Sequence, residues 1–542
     1  MEKMNSLSKD SFDIFDQINF HIKNSGDKKA IIFPKKILKN EIIYESISNE
    51  QLNRYSNKLG NYFKKNGIQK GDKVVVFLPV SLMLYLVIFA LIKTGAVVVF
   101  IDPWIGIKNI KECCKLTKPK GFIGNVKASI LKALSTDIRK IPFKLTFSKN
   151  DLSSLDYIDK LCNDENLSLS VYKPKDSMFI RFTTGSTGKP KGVDRSYEYI
   201  CSLFKAISDF FNIKEDDIDL TTYPLNILYD LVMGATVVIP LISYGRANDF
   251  EPEIFVKQLK QNSVTTASAS PFFWSKLVYY CKENNIKFKK LRFIFTGGGP
   301  VSLDLLKNFN SVFEGANIFI VYGSSEVFPI SWINIQDINN STIKETINGK
   351  GICLGKIHPN LNVKIIDKLD ESKKLKNNDI GEIIVTGPHV NKSYFNDSGE
   401  LFSKNKIVED DVIWHKTGDA GYFNEKGRLW LVGRSENIFS KNNKKISSLM
   451  IEYIADSLPE ISKSALVKNN EDKLFLFVKL KSHNLIKDKN EKVELVERIK
   501  KHIKQKVIDI DKVIFVKDIP LDIRHQTKID YNSLKNKQYL RM

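Results

Sequence analysis

Residues 182–193 read Phe-Thr-Thr-Gly-Ser-Thr-Gly-Lys-Pro-Lys-Gly-Val. The hydroxyls of Thr183, Thr184, Ser186 and Thr187 can donate to phosphate oxygens. Gly185, Gly188 and Gly192 admit close backbone approach and positive φ, so that successive N–H groups can form an anion nest. Lys189 and Lys191 add positive charge where a phosphate would leave. The spacing is not that of a Walker A loop, because only two residues separate Gly185 from Gly188 and Lys189 precedes a proline. A flexible surface turn is the duller alternative. It gives no reason for so many hydroxyls, glycines and lysines directly after a strand.

The elements that must position this loop alternate between strand and helix. Val74–Leu78, Leu82–Ile92 and Ala96–Ile101 read as a buried strand–helix–strand unit. Pro79 and the break at Lys93-Thr94-Gly95 leave pieces too short to span a bilayer. Strand-like runs recur at Phe179–Phe182, Val237–Pro240, Phe293–Phe295 and Ile318–Val321, with helical patterns at Glu253–Asn262 and Pro271–Asn284. Such alternation predicts α/β layers around a parallel sheet, with ligands at the carboxyl ends of strands. The loops after Phe182, Phe295 and Val321 are therefore where chemistry is expected. From Gly351 the texture changes to short strands (Val363–Ile366, Gly381–Val385, Gly427–Val432), which predicts a β-rich subdomain. Beyond it, helix Leu449–Leu458, strands Ser464–Lys468 and Leu474–Leu480, helix Lys492–Lys506 and strand Lys512–Val516 predict a compact α+β unit. The boundary falls near Glu436, dividing the chain into 1–433 and 434–542.

With 542 residues and 42% hydrophobic content, the chain can build a large core in more than one domain. The net charge of +21 would suit a polyanionic partner, but the lysines are scattered, as at Lys64-Lys65, Lys289-Lys290, Lys373-Lys374 and Lys444-Lys445. No basic helix interleaved with aromatics stands out, so nucleic-acid binding is not expected. The six cysteines form no C-x-x-C pair, and adjacent Cys113-Cys114 fit a helix in a reduced, cytoplasmic protein. The first residues contain no apolar h-region, so no signal peptide is expected.

Other segments share the phosphate loop's company. Gly297-Gly298-Gly299-Pro300 follows one strand, and Tyr322-Gly323-Ser324-Ser325-Glu326 follows the next. An aromatic offers a stacking face, and a hard carboxylate suits a hard cation beside phosphates. Trp414-His415-Lys416-Thr417-Gly418-Asp419, Gly433-Arg434 and Pro520–Asp530, with Lys528 inside it, follow in order. Over almost the whole chain this series resembles the superfamily of adenylate-forming enzymes, which includes acyl-CoA synthetases, adenylation domains and luciferases. The resemblance implies a large N-terminal domain and a small mobile C-terminal one, with ATP and Mg²⁺ between them. It implies that Gly298 lines the nucleotide pocket, Tyr322 packs on adenine beside Gly323, and Ser325 contacts phosphate. Glu326 would hold Mg²⁺, Asp419 would accept from the ribose hydroxyls, and Arg434 would lie near ribose and phosphate. Glu436 would stand at the hinge, and Lys528, with Glu326 and Thr184, would complete the catalytic set.

The departures from the family pattern are informative. Ile227 in Pro224-Leu-Asn-Ile-Leu-Tyr stands where many acyl-CoA synthetases carry histidine, and the histidine usual after the phosphate loop is replaced in Gly192–Tyr197. The I-K-x-x-G loop becomes Phe439-Ser440-Lys441-Asn442-Asn443, and the usual downstream glutamate is Met450. The use of coenzyme A in a second step is thereby put in question. The segments Ile101–Asn109, Asp219–Pro224, Ser270–Trp274, Tyr322–Pro329 and Asp522–His525 resemble the branch containing the β-lactone synthetase of bacterial olefin biosynthesis and its fatty-acyl ligase-like relatives. That branch implies activation of a 3-hydroxy acid followed by attack of its own hydroxyl, a closure that gains from proximity. The expectation is thus ATP-dependent activation of an acyl-chain-like carboxylic acid. Lactone formation or hand-off to a carrier protein or pathway enzyme would follow, with acyl-CoA ligation and non-catalytic nucleotide binding as alternatives. Ile227, Phe272, Phe273 and Trp274 fall where the family's pockets lie, and the expectation is that they line an acyl pocket or, equally, form ordinary core.

Overall fold

The computed structural model describes residues 12–38, 41–101, 106–126, 128, 135–184, 190–242, 250–441, 444–469, 471–482, 488–522 and 527–535. Strands β1 (Lys73–Phe77) and β2 (Val97–Ile101) pair in parallel and are joined by α1 (Leu82–Thr94). Apolar around its whole circumference, α1 is a core helix, and every one of its residues is buried. The Ser81 hydroxyl caps its start by accepting from the Leu84 N–H, and Gly95, at φ 77°, ends it in the left-handed region. β3 (Ser177–Thr184) adds in parallel to β2, then doubles back as the antiparallel strand β4 (Pro190–Ser196). Phe143–Phe147, Gly121–Asn125, β1, β2, β3 and β4 lie in that order in one sheet. The next helix, α2 (Tyr197–Phe211), starts at once, capped by Ser196.

A second sheet holds the parallel run β5 (Ile218–Thr221), β6 (Thr266–Ala269), β7 (Phe293–Gly297) and β8 (Asn317–Tyr322). The short strands after Gly351 do not form an isolated sheet. Ser331–Asn334 pairs with β8 and with Ile352–Ile357, which pairs with the later strand β10, so the sheet continues through β9 (Val412–Phe423) and β10 (Leu429–Arg434). The expected β-rich subdomain is present, and its sheet joins the second α/β sheet at one edge; composition reveals strand texture but not which edge a strand joins.

The last region contains α3 (Ser448–Asp456), β11 (Ile461–Lys468), β12 (Leu474–Leu480), α4 (Lys489–Lys504) and β13 (Lys512–Phe515). Its three strands pair in sequence order, around a core that includes Ile451, Leu466, Leu476 and Ile499. The predicted second helix begins earlier than read, because the Asp488 carboxylate caps the N–H groups of Asn490 and Glu491. This region touches the rest through the Tyr453 hydroxyl, 2.7 Å from the Val301 carbonyl, and Lys506 Nζ, 3.0 Å from the Ile347 carbonyl. All six cysteines are free and buried, with Cys113 and Cys114 on a helix as expected. Among the described residues no helix is long and apolar enough to cross a membrane.

Candidate active site

The parallel strands β7 and β8 keep register up to the pair Gly297–Val321, so their carboxyl ends open at one edge. The glycine turn and Tyr322 therefore emerge side by side. At Gly323 a Cβ would lie 2.9 Å from both the Phe328 ring and the Val327 carbonyl, so the turn is built for glycine there. The Ser324 N–H donates to the Val327 carbonyl, and the Glu326 carbonyl accepts from the Asn391 N–H at 2.7 Å, which fixes the glutamate's backbone. Across from this turn, the hairpin β3–β4 brings Lys191 Nζ to 2.6 Å from Glu326 Oε1. On another wall, Asp419 of β9 and Arg434 of β10 are direct cross-strand partners, and their ion pair is 2.9 Å long. The Tyr322 hydroxyl donates to the other oxygen of Asp419 at 2.8 Å.

These groups share one cavity of about 2390 Å³. Lys191, Gly298, Tyr322, Gly323, Ser325 and Glu326 line it together with Asp419, Arg434, Glu436 and Lys528. The structure brings together in this way the residues expected from separate motifs. Thr183 and Thr184 end β3, and their side chains, with Gly185, Ser186, Thr187, Gly188 and Lys189, lie outside the described residues. Lys528 is exposed and lines the cavity, and Asp522 holds its backbone. One carboxylate oxygen of Asp522 accepts from the N–H groups of Thr527 and Lys528, at 3.2 and 2.9 Å. Buried Thr527 presses on the glycine turn so closely that a Cβ at Gly299 would lie 2.2 Å from its hydroxyl.

Burial pushes the Glu326 carboxyl up, but the neighbouring His415, Lys191 and Lys406 outweigh it and hold the group at about 2. Burial and Lys406 press His415 itself down to about 3, so that ring is neutral at pH 7 and the lysines supply the cationic field. Lys406 is cross-strand partner to His415 and is lowered by burial to about 7; it donates to the Asn391 carbonyl. The Tyr394 ring meets both lysines, its centre 4.2 Å from Lys191 Nζ and 5.5 Å from Lys406 Nζ. Motif reading missed Tyr394 and Lys406 and gave His415 no role; only strand register reveals that they surround Glu326.

The donor set fits a magnesium nucleotide. Mg²⁺ takes one or two carboxylates and completes its shell with phosphate oxygens and water, so a single ionised Glu326 suffices. Among the described residues no group of three or more His, Cys, Asp or Glu forms a dedicated metal cage.

The structure separates the two readings of the apolar residues, pocket and core. Ile227 and Trp274 are wholly buried core, and the Trp274 indole donates to the Phe295 carbonyl. Phe272 sits under Lys276, and only Phe273 of the four lines the cavity. Successive helical residues turn by about 100°, so Phe273 and Trp274 cannot share a face. The apolar wall comes instead from α1 and α2. Met450, where the family carries a glutamate, is buried in a cluster with Trp430 and Val432.

Comparison with known proteins agrees with this architecture. Olefin beta-lactone synthetases from Stenotrophomonas maltophilia and Xanthomonas campestris are each 26% identical. The first match covers 89% of this chain and 90% of that protein, the second 78% of each. The ATP-bound structure of MatB from Rhodopseudomonas palustris superimposes with a TM-score of 0.80 at 18% identity, covering 97% of this chain and 99% of that one. The AMP-binding enzyme family matches residues 20–395, and the chain belongs to that family.

Proposed function

We propose that this enzyme uses ATP to activate a carboxylic acid as its acyl-adenylate, releasing pyrophosphate. The observation that carries the reading is the convergence of the Lys191–Glu326 pair, the Asp419–Arg434 pair and Lys528 on one cavity that also has an apolar wall. Tyr322 offers its ring to the base, and Asp419 accepts from the ribose. Lys191 and the loop 183–189 receive the phosphates, Lys191 exchanging the Glu326 carboxylate for a phosphate oxygen. Glu326, freed of Lys191, is the ligand for Mg²⁺, which when bound neutralises phosphate charge. Lys528 stands where carboxylate and α-phosphate meet and balances the negative charge that develops there. The chain divides at 433/434, with the hinge near Glu436 and residues 434–542 as the lid, and it works in the cytoplasm.

For the second step we assign capture by a nucleophile within the substrate, giving a lactone, or hand-off to a partner such as a carrier protein. Met450 supports this, because an apolar side chain packed in the core replaces the family's carboxylate. The likeness to olefin beta-lactone synthetases supports it as well. Thioester formation with coenzyme A is the competing reading, favoured by relatives such as the 4-hydroxybutyrate–CoA ligase of Metallosphaera sedula, 24% identical over 84% of this chain.

The test is a panel of unsubstituted and 3-hydroxy fatty acids incubated with ATP, with and without coenzyme A. AMP is quantified and products are identified by mass spectrometry. The reading expects acid-dependent AMP without coenzyme A and its loss in Lys528→Ala. AMP formation that strictly requires coenzyme A would overturn the second-step assignment, and no AMP from any acid would overturn the first.

A further inference from the structure

Residues Lys191, Val193 and Arg195 alternate onto one face of β4. Lys191 and Arg195 reach consecutive residues of the same turn: Lys191 pairs with Glu326, and Arg195 donates from Nη2 to the Ser325 carbonyl at 2.8 Å. The two cations differ in compensation. Arg195 is 5% exposed, its Nε has no hydrogen-bond partner, and no described carboxylate lies within 4.0 Å of it. Its chain neighbour Asp194 cannot serve, because it projects to the opposite face, where it accepts from the Ser177 hydroxyl. Among the described residues this buried cation meets a carbonyl and, 5.8 Å away, the Tyr199 ring, an environment that favours an added anion.

What lies around Arg195 defines that anion. Arg195 is the direct cross-strand partner of Phe179, so it shares a sheet face with that ring, which stacks on Phe100 at 5.8 Å. Tyr199, Leu203 and Ile207 recur every four residues along α2 and line the same cavity as Leu84 and Ile88 of α1. Arg195 is thus a cation that shares the cavity with an apolar stretch of its lining, beside the turn that carries Glu326.

We infer that Arg195 is the docking site for the carboxylate of a long-chain acid, holding it, tail along the α1–α2 lining, before it attacks the nucleotide. This rests on the activation reading only for its purpose, since the binding itself needs no nucleotide. The test measures affinity for dodecanoate and dodecanol without ATP, by displacement of a fluorescent fatty-acid probe. The wild type binds dodecanoate about tenfold or more tighter than dodecanol, the worth of a charge-assisted contact. Arg195→Leu and Arg195→Gln bind dodecanol as the wild type does but lose the preference for the anion, and Arg195→Lys keeps part of it. Equal affinities in the wild type, or a preference that survives in either neutral variant, would overturn the assignment. If Arg195→Leu loses dodecanol too, Arg195→Gln, closer in shape, decides by the same criterion. Lys528→Ala keeps the preference while losing AMP formation. An intact preference without AMP formation from any acid would therefore refute the activation reading and leave Arg195's role standing.

Discussion

Two glutamates on the same cavity, one half-buried and one buried, are driven in opposite directions. Glu326, the half-buried one, is held at about 2, whereas Glu452 is pushed by burial to about 8. Desolvation acts on both and favours the neutral acid. At Glu326 the neighbouring His415, Lys191 and Lys406 together reverse it, Lys191 from 2.6 Å. At Glu452 the partners are the Leu466 N–H and the Tyr531 hydroxyl, at 2.9 and 2.7 Å, and these do not offset burial. One carboxylate is therefore an anion at neutral pH, ready for a hard cation. The other is a neutral structural bridge that ties α3 to β11 and to Tyr531. What distinguishes a working carboxylate from a structural one here is the cation beside it.

The largest expected effect comes from removing that cation. Lys191→Ala leaves the Glu326 carboxylate without its partner and should cost about 3 kcal/mol of stability in urea unfolding. It should also slow AMP formation by about a hundredfold, since a charge aimed at the phosphates is lost. Unchanged stability would break the comparison, because Glu326 would then be ionised without Lys191. Next, Glu326→Gln keeps the shape and removes the anion; the magnesium concentration for half-maximal AMP formation should rise about tenfold or more. Magnesium titration of the variant decides this, and an unmoved midpoint would place the metal elsewhere.

The pH dependence sharpens the contrast, with opposite signs. Glu326 is depressed below its ordinary 4.5, so its contribution is present above that value and lost as pH falls toward 2. Glu452 is raised, so its contribution is present below 4.5 and is lost as pH rises through about 8. Melting curves across pH should show Glu326→Gln flattening the acid limb and Glu452→Gln flattening the alkaline one. The smallest effect is that of Glu452→Gln at pH 6, within about 1 kcal/mol, because a neutral amide replaces a neutral acid.

Much of the site was legible because its parts are local. Gly297–Gly299, Tyr322–Glu326 and Arg434 lie in short segments at strand ends, and Asp419 within a strand, where residue type and spacing carry the chemistry. Lys406, Tyr394 and Arg195 were not legible, because their meaning comes from cross-strand partners: Lys406 from its pairing with His415, Arg195 from Phe179. The Phe272–Trp274 run stayed ambiguous between pocket and core for a related reason. Apolar type marks burial, but only the helix's packing decides that Trp274 enters the core while Phe273 meets the cavity. In the fold, α1 was evident from its unbroken apolar run, while the joining of the strands after Gly351 to the second sheet depended on edge pairing that no local pattern encodes.

The central claim, that this site joins a carboxylate to the α-phosphate of ATP, is tested most directly by acid-dependent exchange of labelled pyrophosphate into ATP. With dodecanoate or 3-hydroxydodecanoate the wild type should exchange label, with no exchange when the acid is omitted, and Lys528→Ala should lose about two to three orders of magnitude. Exchange that is independent of acid, absent with every acid of the panel, or indifferent to Lys528→Ala would contradict it.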